Sequence, residues 1–119
     1  MNISHCHIQV HDMALARRFY EGVFEFQEEY VCDENKVFLR NDANFILGLD
    51  KVENPERLPD WFHLGFDAKT ELKLREVFEK VRSSGFTIKQ EISEQDNPIN
   101  FYCIDPDGNN IEVYCMRSL

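Results

Sequence analysis

Basic residues are scarce in this chain. Against 22 aspartates and glutamates stand 13 lysines and arginines, a formal net charge of −9 over 119 residues. Nucleic acid is gripped through its phosphates by a basic surface, so that class of partner is excluded. Long apolar runs are missing as well: none approaches the roughly 20 residues needed to cross a bilayer, and no membrane-spanning helix is expected. The opening MNISHCHIQVHDM has neither a cationic stretch nor an apolar one, so no secretory leader is expected. Cysteine is sparse, at positions 6, 32, 103 and 115, with no Cys-x-x-Cys pair and no zinc-finger spacing. Cys6, Cys103 and Cys115 fall on apolar strand faces. Together these features predict free, mostly buried thiols in a cytoplasmic protein.

What is present is an ordinary core-forming composition, 43% hydrophobic and 29% charged, of a length that suits one domain. Histidine is the exception to ordinariness. Of the four histidines, three fall within seven residues, at positions 5, 7 and 11. Read as a strand, SHCHIQVHD places His5, His7, Gln9 and His11 on one face and Cys6, Ile8 and Val10 on the other. The next segment, DMALARRFYEGVFEF, carries Met13, Ala16, Phe19, Tyr20 and Val23 at helical spacing, with Asp12 as N-cap and Gly22 as a stop signal.

The same design returns later. Trp61 to Asp67 alternates, with Phe62, Leu64 and Phe66 apolar and His63 between them. A helical stripe of Leu74, Val77, Phe78 and Val81 follows, capped by Thr70 and ended by Gly85. The positions of His5, Ala16, Phe19, Tyr20 and Val23 are matched 58 residues on by His63, Leu74, Val77, Phe78 and Val81. Such a repeat fixes architecture. It predicts a single domain, 1–119, made of two modules, about 1–50 and 60–116, joined by a proline- and charge-rich linker over 51–59. Each module continues with three further strands: FEFQEEYVC, KVFLR and ANFILGL in the first; FTIKQEI, INFYCID and NNIEVYCM in the second. The turn Asp105-Pro106-Asp107-Gly108 joins the last two. The fold class is therefore α+β, each module reading strand, helix, three strands. One helix covers one sheet face and leaves the other face to line something.

Parity assigns that open face. In the closing hairpin Phe101, Cys103, Ile111, Val113 and Cys115 point one way; Asn100, Tyr102, Ile104, Asn110, Glu112 and Tyr114 point the other. His63 shares the second direction, as does Trp61, read as a pocket wall. The acidic helix positions Glu71, Glu76 and Glu79 read as solvated surface. Two histidines and a glutamate from three strands suit a divalent metal held with open coordination positions.

Three segments carry a resemblance: H-x-x-I-x-V-x-D-M…A…F-Y-x-x-V-F-x-F at the start, W-F-H-L-G-F in the middle, and F-Y-x-x-D-P-D-G-N-x-I-E-V-Y at the end. In this order and spacing the chain resembles the vicinal oxygen chelate superfamily, which includes glyoxalase I, extradiol dioxygenases, fosfomycin-resistance thiol transferases and bleomycin-resistance proteins. The resemblance implies paired βαβββ modules whose mixed sheets curl into a cupped, open barrel around a metal. It implies His5, His63 and Glu112 as ligands of one divalent ion per site (Fe, Mn, Zn, Ni or Co) and Tyr102 as a residue touching a small-molecule substrate. It further implies a homodimer in which the two chains can exchange modules. His7, two residues beyond His5 on the same face, is the candidate acid or base; its bland alternative is a hydrogen-bonded lining residue. His11, at the strand end, reads as solvated.

Aligning NNIEVY with NFILGL puts Leu47 opposite Glu112 in the repeat. Glyoxalase I and the related epimerases place a Glu or Gln ligand near that position, so the alignment disfavours their four-ligand isomerase chemistry. The three-ligand members fit imperfectly. Thiol transferases usually continue further and carry a substrate arginine where only Arg117 is available here; extradiol dioxygenases generally need another histidine, for which only His7 or His11 could stand in. The expected function is a metal-dependent enzyme acting on an oxygen-chelating substrate, by lyase, thiol-transfer or ring-cleaving chemistry. The alternative is a bleomycin-resistance-like protein that sequesters a small molecule without catalysis.

Overall fold

The computed structural model of the chain describes residues 1–118, and the elements begin where local chemistry says they should. Asp12 accepts a hydrogen bond from the Leu15 backbone N–H at 3.0 Å and Thr70 one from Lys73 N–H at 3.1 Å, so both helices open on a side-chain cap. In chain order the elements are β1 (His5–Val10), α1 (Met13–Gly22), β2 (Gln27–Asp33), β3 (Lys36–Arg40), β4 (Ile46–Lys51), β5 (His63–Asp67), α2 (Glu71–Ser83), β6 (Thr87–Gln90), β7 (Ile99–Ile104) and β8 (Asn110–Cys115). The chain forms two compact units, residues 1–57 and 58–119.

In the first unit the sheet runs β1-β4-β3-β2, with β1 parallel to β4 and the other pairs antiparallel. In the second the order is β5-β8-β7-β6 with the same senses. Each is thus a mixed, open four-stranded sheet with one helix, the expected βαβββ plan. The first unit buries Ala16, Phe19, Tyr20 and Val23 from the helical segment and Ile8, Val10, Val37, Leu39, Leu47 and Leu49 from the strands. The second buries Leu74, Val77, Phe78 and Val81 with Ile99, Phe101, Cys103, Ile111, Val113 and Cys115. Phe78 of α2 meets Phe101 of β7 edge-to-face, their ring centroids 5.1 Å apart.

Several segments differ from expectation. β2 starts at Gln27, one residue past the buried Phe26, and every residue of it is exposed, as an edge strand's can be. β5 is shorter than the alternating stretch: Trp61 and Phe62 precede it, and Trp61 is exposed at 79%. The segment 51–59 is tied at both ends. Val52 N–H donates to Val10 O, Glu56 N–H to Gln9 Oε1, and Leu58 N–H to Asn109 Oδ1. The turn between β7 and β8 takes the expected form. Gly108 adopts φ +87°, and Asp105 gathers the N–H groups of Asp107 and Asn109 on its carboxylate. All four cysteines are free, and burial with the nearby Asp105 charge pushes the Cys103 thiol up to about 12.

Candidate metal centre

The second unit supplies a ready pair of donors. Glu112 stands in the middle of β8, between the buried Ile111 and Val113, so strand alternation turns its carboxylate to the open face. Its cross-strand partners are Gly65 on β5 and Tyr102 on β7. A Cβ at Gly65 would sit 3.7 Å from Glu112 Oε1, in ordinary contact, so the glutamate's place does not depend on the glycine. His63, at the start of β5, directs Nε2 at Oε1 across 3.3 Å. The other carboxylate oxygen is braced, Asn100 Nδ2 donating to Oε2 at 2.9 Å. Asn100 is itself fixed by Ser93, whose hydroxyl donates to Asn100 Oδ1 at 2.5 Å. A carboxylate with one oxygen tied and the other facing an imidazole nitrogen is the donor chemistry a divalent ion takes, with its outer partners already in place.

Tyr102 packs over His63 edge-to-face at 5.5 Å between centroids. Burial lifts its phenol above the ordinary tyrosine value, and the Glu112 charge and a hydrogen bond to that carboxylate add to the effect. Tyr102 therefore keeps its proton and acts as a donor toward the glutamate.

The first unit presents the other histidines. His5 and His7 lie on one face of β1, their rings T-shaped and 5.8 Å apart. His5 Nδ1 shares a hydrogen bond with Ser4 Oγ at 3.0 Å. His7 Nδ1 lies 3.1 Å from Asp50 Oδ2 on β4; a carboxylate only accepts, so Nδ1 carries the proton and Nε2 is left with its lone pair. Lys36 Nζ meets the other oxygen of Asp50 at 3.4 Å. His11 is not simply solvated: its Nδ1 donates to Glu53 O at 3.1 Å, which anchors the segment after β4.

The structure thus brings His63, Glu112 and Tyr102 together in the second unit, and His5 beside His7 in the first. Among the described residues, no three His, Cys, Asp or Glu side chains are assembled as a ligand set within the chain. Arg117 is committed elsewhere: Nε donates to Glu71 at 2.9 Å and Nη1 to the Glu94 carbonyl at 2.5 Å, so it clasps the chain end onto α2.

One sequence alignment is corrected. The counterpart of Glu112 is Gly48, not Leu47. β1 pairs with β4 so that His7 faces Gly48, and β5 pairs with β8 so that Gly65 faces Glu112. Leu47 points to the helix side and is fully buried. A slip of one residue along a strand exchanges its two faces, which is why the alignment by letters failed. Sequence reasoning also missed Asp50, Asn100 and Ser93. The signal for Asp50 was available: it lies two residues after a lone strand glycine, on that glycine's face.

Comparison with known proteins gives a consistent picture. A family model described as the Glyoxalase/Bleomycin resistance protein/Dioxygenase superfamily matches residues 2–113. No curated protein matches the sequence. Among solved structures, a possible glyoxalase from Bacillus cereus is 28% identical with a TM-score of 0.83, over 97% of this chain and 99% of that one. A glyoxalase/bleomycin resistance protein/dioxygenase family enzyme from Burkholderia phytofirmans is 20% identical with a TM-score of 0.83, covering 98% and 100%. The fosfomycin resistance protein FosX from Listeria monocytogenes is 20% identical with a TM-score of 0.81, covering 98% and 94%.

Proposed function

The chain belongs to the Glyoxalase/Bleomycin resistance protein/Dioxygenase superfamily, and from that premise we propose that it is a divalent-metal-dependent enzyme acting on a small, oxygen-chelating substrate. His5, His63 and Glu112 hold the ion. The observation that carries this reading is the braced pair: His63 Nε2 facing Glu112 Oε1 at 3.3 Å, with Asn100 holding the second oxygen. A glutamate kept only for surface charge has no need of a two-residue brace on the open face of a sheet. When bound, the ion supplies a Lewis acid that polarises a substrate oxygen and stabilises negative charge developing on it.

The chain's own residues do the rest. Asn100 and Ser93 fix the Glu112 carboxylate in one orientation, so its donor oxygen needs little reorganisation. Tyr102 gives its phenol proton to Glu112 and leaves its ring and oxygen lone pairs as the wall a substrate meets beside His63. The reaction falls among lyase, thiol-transfer and ring-cleaving chemistries, a range that the family's description, glyoxalase to dioxygenase, supports in outline.

The working form is a cytoplasmic homodimer with two equivalent sites, in which His5 of one chain joins His63 and Glu112 of the other. The free thiols suit that compartment.

Elemental analysis of untagged protein tests the metal. One divalent ion per chain is expected in the wild type, with near-complete loss in Glu112→Ala. Stoichiometric, tightly held metal in Glu112→Ala overturns the ligand assignment; a wild type that takes up no divalent ion at all turns the reading to a small-molecule-sequestering protein. Exchange is tested by refolding His5→Ala and Glu112→Ala chains together: an exchanged heterodimer has one intact site, whereas unexchanged chains recover none.

A further inference from the structure

We propose that His7 is a metal ligand, standing in the first unit where a carboxylate stands in the second, and that Asp50 is the residue that positions it. The inference rests on the metal-dependent reading above and adds to it a donor that the three-residue set lacks.

One cell of the sheet is repeated in both units. In each unit the first strand runs parallel to the last, and one cross-strand pair on the open face lies two residues along from the metal-facing histidine. In the second unit that pair is Gly65 and Glu112; in the first it is His7 and Gly48. Each pair has one glycine and one donor side chain, with the strands reversed. The glycine is required in the first unit. A Cβ on Gly48 would fall 2.6 Å from Cε1 and 2.9 Å from Cγ of His7, inside the contact distance of any real side chain. The His7 imidazole therefore lies flat over β4, in the volume a residue 48 side chain would otherwise occupy. A duplicated frame has kept one donor per cell while changing which strand sends it.

Four further observations make that imidazole suit a cation. Its Nδ1 proton is given to Asp50, which fixes the tautomer and leaves the Nε2 lone pair free; carboxylate-bound histidines are the usual form of a histidine ligand. Asp50 is held in turn by Lys36 Nζ at 3.4 Å, and its Oδ1 is buried with no hydrogen bond of its own among the described residues. Two imidazoles sharing one ion have centroids about 4.5–5.5 Å apart, given a metal–nitrogen length of about 2.1 Å plus a ring radius of about 1.1 Å and ligand angles of about 90–110°, so a pair just beyond that range needs only a small ring movement to share one. His5 and His7 stand 5.8 Å apart with ring planes at 84°. Phe38 seals the other side of the His7 ring edge-to-face at 5.4 Å, which limits its rotation. His5 and His7 from one unit, with His63 and Glu112 from another, then give three imidazoles and one carboxylate. The role expected of His7 from sequence, a free acid or base, is replaced by coordination.

Cobalt(II) titration of metal-free protein tests this, with affinity read by chelator competition and coordination by the visible absorption of the bound ion. His7→Gly is expected to weaken cobalt binding by about 10²-fold and change the visible spectrum, and Asp50→Ala by about 10–100-fold. The sharper variant is the double substitution His7→Gly with Gly48→Glu, which copies the second unit's pair into the first. It should recover cobalt affinity to within about tenfold of wild type, with far-UV circular dichroism verifying the fold of every variant. If folded His7→Gly and His7→Gln bind cobalt with wild-type affinity and spectrum while His63→Ala and Glu112→Ala do not, His7 is no ligand and this inference fails alone. If His63→Ala and Glu112→Ala also bind as tightly as wild type, the metal reading itself fails.

Discussion

The two units solve one problem with different side chains. Each is a helix on a four-stranded mixed sheet with its open face turned to chemistry. On the reading proposed above, both donors of the first unit, His5 and His7, come from a single strand. In the second they come from two, His63 on β5 and Glu112 on β8. The bracing differs likewise: a carboxylate held by a lysine orients His7, and an amide held by a serine orients Glu112. The backbone register is the same in both units, while the strand that carries the side chain at this cross-strand pair differs, and only the His7 arrangement requires the glycine opposite it.

The largest expected contrast lies beneath the site. By register, Phe101 on β7 corresponds to Val37 on β3: each pairs with the equivalent residue of the last strand, Val113 and Leu49. Both are buried, but Phe101 also stacks on Phe78. Phe101→Ala should cost about 3–5 kcal/mol and Val37→Ala roughly 2 kcal/mol, from lost transfer energy and cavity. Urea denaturation followed by circular dichroism checks this. Equal costs would mean that the second unit's core collapses around the missing ring.

A smaller contrast concerns the two glycines of the reversed pair. Gly48→Ala drives a methyl into the His7 ring, which must leave Asp50; overpacking of this kind costs about 1–3 kcal/mol. Gly65→Ala brings its methyl only to ordinary contact with Glu112, 3.7 Å from Oε1. The lost chain entropy of glycine favours the substitution, so Gly65→Ala should be neutral or stabilising by up to about 1 kcal/mol. Melting temperatures of the two variants measure the difference. Equal destabilisation would show that the glycines serve backbone geometry and not the donor opposite.

Much of this frame was legible in the letters. The offset of 58 between His5 and His63 also relates the observed caps, Asp12 and Thr70, and the starts of the helices. It was readable because helical stripes and capping residues are local signals. Past the helices the offset becomes 64. The β2–β3 connection has two residues and the β6–β7 connection eight, and no periodicity announces an insertion in a loop. The resulting slip moved the counterpart of Glu112 from Gly48 to Leu47, a buried core residue. That His63 and Glu112 share one face, and His5 and His7 another, was legible from parity. The bracing roles of Asn100 and Ser93 were not legible, because they depend on which side chains meet across strands, and Asp50 had only the nearby strand glycine to mark it.

The smallest contrast is one oxygen atom. Tyr102 and Phe38 occupy the same register position, opposite Glu112 and Gly48, and each packs edge-to-face on a histidine. The second unit adds a phenol where there is a carboxylate to receive its proton; the first has no acceptor there and uses phenylalanine. Tyr102→Phe makes the second unit resemble the first. Since burial is what chiefly raises the Tyr102 phenol, with Glu112 adding to it, the group is protonated across neutral pH, and its loss removes a donor without changing net charge. The expected cost is one net hydrogen bond, about 1 kcal/mol or less for a partly exposed pair. Cobalt affinity should stay within about tenfold of wild type, as for an outer partner whose ring is retained. Thermal melts and the same chelator competition measure both. A Tyr102→Phe protein that releases cobalt as readily as Glu112→Ala would make the phenol part of the binding set, and the match with Phe38 would then be one of position only.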